Sequence, residues 1–254
     1  PDNPLTWSGE LYGDLDRIRA SELLKNLGLK GPLYSGIGST RFWASFEQGR
    51  VTSITADLAL ADVRAQLAPK LAELRLPRLT GRLHYADDGS QTRFSAKDFT
   101  FTTLNDARFG PSDIEAQCDH DVSGTVIGCS FKASELSLSN IAKIGTSLPL
   151  PAAALKLLRD RPFSGTLRQL NASFNGDYAD LGAWTFSSFF TGLSLPPAND
   201  GMPGVRNISG EISTSNPGEF EVDLDTHYAT LYFPGIFRHP QMNFSSITGR
   251  VSAA

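Results

Sequence analysis

The stretch Pro203–Phe237, PGVRNISGEISTSNPGEFEVDLDTHYATLYFPGIF, decides the fold class. From Phe220 onward Phe220, Val222 and Leu224 alternate with Glu219, Glu221, Asp223 and Asp225. A period of two predicts a strand with one apolar face and one wetted, acidic face. Upstream, Val205–Thr214 alternates in the same way, with Ile208, Gly210 and Ile212 on one side. Ser215-Asn216-Pro217-Gly218 joins the two segments, and its Pro and Gly are hairpin-turn chemistry. The stretch therefore reads as a β-hairpin with one greasy face and no catalytic constellation.

The motif at its centre, Ile208-Ser-Gly-Glu-Ile212, recurs as apolar–Ser/Thr–Gly–any–apolar at Trp7, Leu79, Val122, Phe163 and Ile247. The glycines Gly81, Gly124, Gly165, Gly210 and Gly249 are spaced by 43, 41, 45 and 39 residues. A period near 40 in a β-rich chain predicts a stacked array whose unit is a hairpin or meander. Trp7 lies off that period, and Ser123-Gly124 also reads as a turn.

The 254 residues can bury a sizeable core, and 40% hydrophobic with 20% charged residues describes a folded chain. A net charge of −4 without a basic run argues against nucleic acid. No apolar run reaches the ~18 residues of a transmembrane helix. The opening PDNPLTW is neither an initiator nor a signal peptide. The chain is thus expected to be a segment of a larger protein, with any membrane anchor outside it.

Cys118 and Cys129 sit symmetrically about Ser123-Gly124. A two-residue turn there places them opposite each other, with Ala116 facing Phe131 and Ile114 facing Ala133 on one apolar face. A disulfide at that pair implies an oxidising compartment such as the periplasm; two buried free thiols are the alternative.

Along the rest of the chain, Trp7–Leu15 reads as a strand and Ser21–Gly28 as a short helix. Phe42–Phe46 and Val51–Leu60 form a hairpin around Gln48-Gly49. Val63–Leu76 is ambiguous, since its spacing suits a weak helix that Pro69 interrupts. Leu79–Tyr85 pairs with Thr92–Thr103, where a change of apolar phase predicts a bulge near Lys97-Asp98. Asn140–Ser147 and Pro151–Arg159 read as helices. Strands resume at Phe163–Asn175 and Trp184–Leu195, and Gly192–Gly204 reads as a loop. Ala229–Phe233 and Gln241–Ser252 make a last strand pair. The expected fold class is mostly β: an elongated, curved antiparallel sheet, groove-like and repeat-built, with a few short helices and roughly ten to fourteen strands. The domain expectation is one β-rich segment, 1–254, with sub-blocks 1–138 and 163–254 joined by a helical insert, 139–162.

Chemistry is sparse. His84, His120, His227 and His239 lack metal-site spacing, and Asp119 and Asp121 alternate away from His120. Asp87-Asp88 lies in a turn and Glu219/Glu221 on a solvated face, so neither pair reads as glycosidase carboxylates. There is no nucleophile elbow and no phosphate loop. No catalytic residue, metal ligand or cofactor is expected. The apolar faces remain, supplied by sixteen phenylalanines that include Phe99/Phe101 and Phe186/Phe189/Phe190. They belong either to a closed sandwich core or to an open sheet whose apolar face holds acyl chains. On the second reading Ile54, Leu58, Phe99, Phe101, Val222 and Leu224 line the groove.

PGVRNISGEIS (Pro203–Ser213), ATLYFPGIFRHPQMNFSSITGRV (Ala229–Val251) and the run from Phe42 to Thr103 resemble the AsmA-like superfamily of Gram-negative envelope proteins, in its YhdP-like branch. The helical insert fits the same pattern. The resemblance implies a segment of a periplasmic body, tethered to the inner membrane by an anchor outside this chain. It also implies a non-enzymatic groove that conducts phospholipid acyl chains toward the outer membrane. An alternative is a scaffold for outer-membrane protein assembly that meets other envelope proteins. A third is a carbohydrate-binding module using Trp7, Trp43 and Trp184.

Overall fold

The computed structural model describes residues 7–26, 28, 33–104, 107–150, 152–176, 184–197, 202–214 and 219–253. The turn Ser215–Gly218 and Pro151 lie outside them. Twelve strands form one sheet whose order is the sequence order, and every described pairing is antiparallel. The chain is therefore mostly β with a few short helices. Contacts divide it into two compact units. The first is Pro1–Cys129 with Thr146–Pro149; the second is Ser130–Gly145 with Leu150–Ala254.

The first unit contains β1 (Gly9–Arg19), α1 (Ala20–Asn26), β2 (Leu33–Glu47), β3 (Arg50–Ala65), β4 (Leu74–Asp87), β5 (Gln91–Thr102) and β6 (Arg108–His120). Strand β7 (Val126–Ser137) starts in the first unit and ends in the second. The second unit continues with α2 (Leu138–Ile144), α3 (Ala152–Asp160), β8 (Ser164–Asn175), β9 (Trp184–Leu195), β10 (Gly204–Ser213), β11 (Phe220–Tyr232) and β12 (Gln241–Ala253). Ser137 caps α2, its hydroxyl accepting from the Asn140 N–H, and a 3₁₀ turn, Gly145–Ser147, follows the helix.

Several elements differ from the sequence reading. Val63–Leu76 is not helical: β3 runs to Ala65 and β4 begins at Leu74, because cross-strand pairing of Val63 with Leu76 outweighs a weak helical spacing. Ala229–Phe233 is no separate strand, since β11 continues unbroken from Phe220 to Tyr232. Just before Ala229 the strand carries a local kink at Tyr228, whose φ is +56°. The turn about Ser123-Gly124 has three residues rather than two. The Asp121 N–H donates to the Thr125 carbonyl and the Gly124 N–H to the Asp121 carbonyl. The Asp121 carboxylate accepts from the Ser123 and Thr125 N–H groups at 2.8 and 2.9 Å, which favours the wider loop.

Mid-strand kinks recur. Arg17, Asp62, Asp98, Gln169, Asn207 and Tyr228 all take left-handed backbone conformations, with φ between +51° and +57°. Such bulges bend the strand and leave ladder groups unpaired. Short polar side chains fill the gaps. Ser35 Oγ donates to the Asp62 carbonyl (3.1 Å), the Asp98 N–H donates to Asp113 Oδ1 (3.0 Å), and Ser188 Oγ donates to the Arg168 carbonyl (3.0 Å). Thr226, buried in β11, bonds both the N–H and the carbonyl of Ser209. These hydroxyls explain why Ser and Thr interrupt otherwise apolar faces.

The glycines of the repeat fall in alternate strands: Gly81 in β4, Gly165 in β8, Gly210 in β10 and Gly249 in β12. Gly124 lies in the β6–β7 turn. A period near 40 is thus two strands, one hairpin per repeat.

Candidate functional site

Register makes the two faces of each unit explicit. In the first unit one cross-strand row runs Leu11, Ala44, Ile54, Tyr85, Phe94 and Ala116. The next runs Gly13, Phe42, Ala56, Leu83, Ala96 and Ile114. Beyond them, Leu58 faces Gly81, and Leu60 joins Leu79, Phe101 and Phe109. All these rows share one side, because each adjacent pair of rows is two residues apart on every unbulged strand.

The Asp98 kink lets β5 keep its apolar residues on that side. Ala96 precedes it, and Phe99 and Phe101 follow with their rings 5.6 Å apart. Phe101 stacks on Phe109 at 4.3 Å. Phe99 lies over Gly81: a Cβ there would stand 3.3 Å from its ring. Ile54, Leu58, Phe99 and Phe101 are therefore brought together on one apolar face.

In the second unit Leu167, Phe190, Gly210, Leu224 and Gly249 form one row. Ser188, Ile212, Val222 and Val251 form the next. Val222 and Leu224 pack beside the buried trio Phe190, Ile208 and Ala229. The sequence pattern missed Leu11, Phe94 and Val251 as members of these faces. Phe94 stands at odd spacing from Phe99 and Phe101 and reaches their side only through the Asp98 kink, whereas Leu11 and Val251 join by cross-strand pairing with Ala44 and Val222.

The opposite faces are charged. Asp14, Arg41, Asp57, Arg82 and Lys97 occupy one row. Arg41 bonds Asp14 at 3.2 Å, and Arg82 grips Asp57 with two bonds of 2.5 and 2.8 Å. Hydrogen bonding from Arg82 holds the Asp57 carboxyl below its ordinary value. In the second unit Arg168, Phe189, Glu211, Asp223 and Arg250 align. Arg250 bonds Asp223 at 2.8 Å and Glu221 at 3.3 Å. The acidic residues of β11 thus lie on the wetted side. Exposed pairs of this kind add little net stability, and they keep the outer face polar.

Cys118 and Cys129 form a disulfide with Cα atoms 4.1 Å apart, close to the spacing of a non-hydrogen-bonded pair. His120 follows the bridge and hydrogen-bonds Thr92 through Nε2 at 2.9 Å. Among the described residues no three His, Cys, Asp or Glu side chains are grouped to hold a metal. No described helix is long and apolar enough to cross a membrane. Of the tryptophans, Trp43 lies on the charged face of the first unit, 5.5 Å from Tyr12 and beneath Arg82. Trp184 packs against Phe174 in the second unit, 4.8 Å between rings.

These faces define a class: hairpin-repeat antiparallel sheets with one apolar and one charged side. A family model described as YhdP protein matches residues 3–254, and the chain belongs to the YhdP family. No curated protein and no solved structure matches it.

Proposed function

We propose that the apolar sheet faces hold phospholipid acyl chains, and that the chain is a non-enzymatic, periplasmic segment of an envelope lipid-transport protein. The observation that carries this reading is the exposure of large apolar side chains at the margins of those faces, whose middle rows, with Phe42, Leu60, Leu79, Phe101 and Phe190, are buried. Leu11 is 45% exposed, Phe94 36%, Phe220 41% and Val251 52%. Every described strand belongs to one sheet, so a second sheet is not available to cover either unit's apolar side. Uncovered apolar area of this kind marks a binding surface in a soluble setting. An acyl chain gains ~0.8 kcal/mol per buried CH₂, so the face needs only apolar continuity to hold one. The polar headgroup stays in water. Membership of the YhdP family supports the envelope assignment, and the disulfide suits an oxidising compartment.

The test is Val222→Asp or Leu224→Asp in the purified chain, with co-purified lipid read by native mass spectrometry. On an open face the variants keep their circular dichroism and lose lipid. In a sealed core the same carboxylate would be buried unpaired and the domain would unfold. Unfolding, or lipid retained at the parental level, defeats the lipid reading and favours an assembly scaffold.

A further inference from the structure

The β11–β12 connection differs from the other described hairpin turns. The turns Gln48-Gly49, Asp88-Gly89-Ser90 and Asp121–Thr125 are short and polar, and the long β3–β4 connection, Gln66–Glu73, exposes a single large apolar side chain, Leu67, with no aromatic residue. The β11–β12 loop is Phe233-Pro-Gly-Ile-Phe-Arg-His-Pro240, and its tip presents Ile236 at 64% and Phe237 at 47% exposure. The loop is a built structure. The Phe233 N–H donates to the Pro240 carbonyl at 2.8 Å and closes its neck. The Phe233 and Phe237 rings meet edge to face at 5.7 Å.

Arg238 and His239 follow the apolar pair directly, both exposed, and the loop contains no carboxylate. At its base Arg206 lies over the Tyr232 ring, 5.4 Å from its centre, and bonds the Tyr232 hydroxyl. The β9–β10 connection opens at the same end of the second unit's strands and carries Met202, 48% exposed. Its acidic residue, Asp200, lies outside the described residues. Apolar side chains at a tip, aromatic rings below them and cations around them are the chemistry of a bilayer interface.

We propose that this loop is a membrane-interface contact, seating Ile236 and Phe237 among the headgroups of an anionic bilayer while Arg238 and Arg206 meet lipid phosphates. Charge selects the occupant. Clustered cations beside an apolar tip favour an anionic lipid surface, whose attraction salt weakens. The contact is independent of acyl-chain binding on the sheet face.

The test is flotation of the 254-residue chain with vesicles of phosphatidylethanolamine and phosphatidylglycerol, against vesicles of phosphatidylcholine alone. The chain floats with the anionic vesicles, less so at high salt. Ile236→Ser with Phe237→Ser lowers the bound fraction about tenfold. Arg238→Glu lowers it several-fold on anionic vesicles only. Arg50→Glu, exposed at the start of β3 and outside both proposed lipid contacts, leaves flotation unchanged. A second readout does not depend on the double variant folding: Phe237→Trp gains fluorescence quenched by brominated phosphatidylglycerol beyond that of the parent's three tryptophans. Absent flotation, flotation unchanged in the loop variants, a loss in Arg50→Glu as large as in Arg238→Glu, or no added quenching each overturns the proposal.

Discussion

Asn207 in β10 and Tyr228 in β11 are both in left-handed conformations, φ +57° and +56°, and one side chain ties them together. The Asn207 carboxamide donates to the Tyr228 carbonyl at 3.3 Å and to the His227 carbonyl at 3.0 Å. The Asn207 N–H in turn donates to Ser194 Oγ of β9 at 3.0 Å. Between the paired positions Arg206/Thr230 and Gly210/Leu224, residues 207–209 face residues 225–229, and Asn207 bridges that mismatch.

Asn207→Ala therefore combines a left-handed backbone that alanine resists with the loss of two bonds, and costs about 1–2 kcal/mol. Asn207→Gly relieves the backbone and loses only the bonds, so it costs less. Urea unfolding of both variants checks the order; equal losses would show that the backbone conformation contributes nothing.

Gly210 has no room for a side chain. A Cβ there would meet the Asp223 carbonyl and stand 3.1 Å from the Phe190 ring. Gly210→Ala forces β10 and β11 apart at the centre of the apolar face and costs about 1–3 kcal/mol. A thermal melt within a degree of the parent would count against this close approach.

The Cys118–Cys129 bridge closes a loop 11 residues apart in sequence. Constraining so short a loop stabilises by about 2–3 kcal/mol on the loop-entropy account. Reduction, or the double Ser variant, should lower the denaturant midpoint accordingly. Thiol titration of the unreduced chain should detect no free cysteine.

The Asp121 carboxyl is held below its ordinary value of 3.8 by the Ser123 hydroxyl first, then by the Thr125 and Ser123 N–H groups. Its folded-state value lies below the unfolded one. Its contribution is thus fully present above pH 3.8 and is lost as pH falls through the folded value. Titration of the Asp121 carboxyl followed by NMR should show the depressed midpoint. Asp121→Asn should remove this part of the acid dependence and loosen the turn, seen as faster amide exchange at Gly124 and Thr125.

Alternation settled which residues share a face within each unkinked stretch of strand. Phe220, Val222 and Leu224 lie on the apolar side as the period of two requires, and Ile54 and Leu58 do likewise in β3. The hairpin-length glycine period and the bridged cysteines were also legible, because both are written as local spacing. Tertiary structure decided the rest. The continuity of β11 through Tyr228, and the burial of Thr226 against the Ser209 backbone, depend on hydrogen bonds from neighbouring strands. The three-residue turn at Val122–Gly124 depends on which Asp121 bonds win. How far the apolar faces are covered was likewise decided by strand pairing, which places every described strand in one sheet. Period two is the same for a covered and an uncovered strand, and only the three-dimensional pairing distinguishes the two.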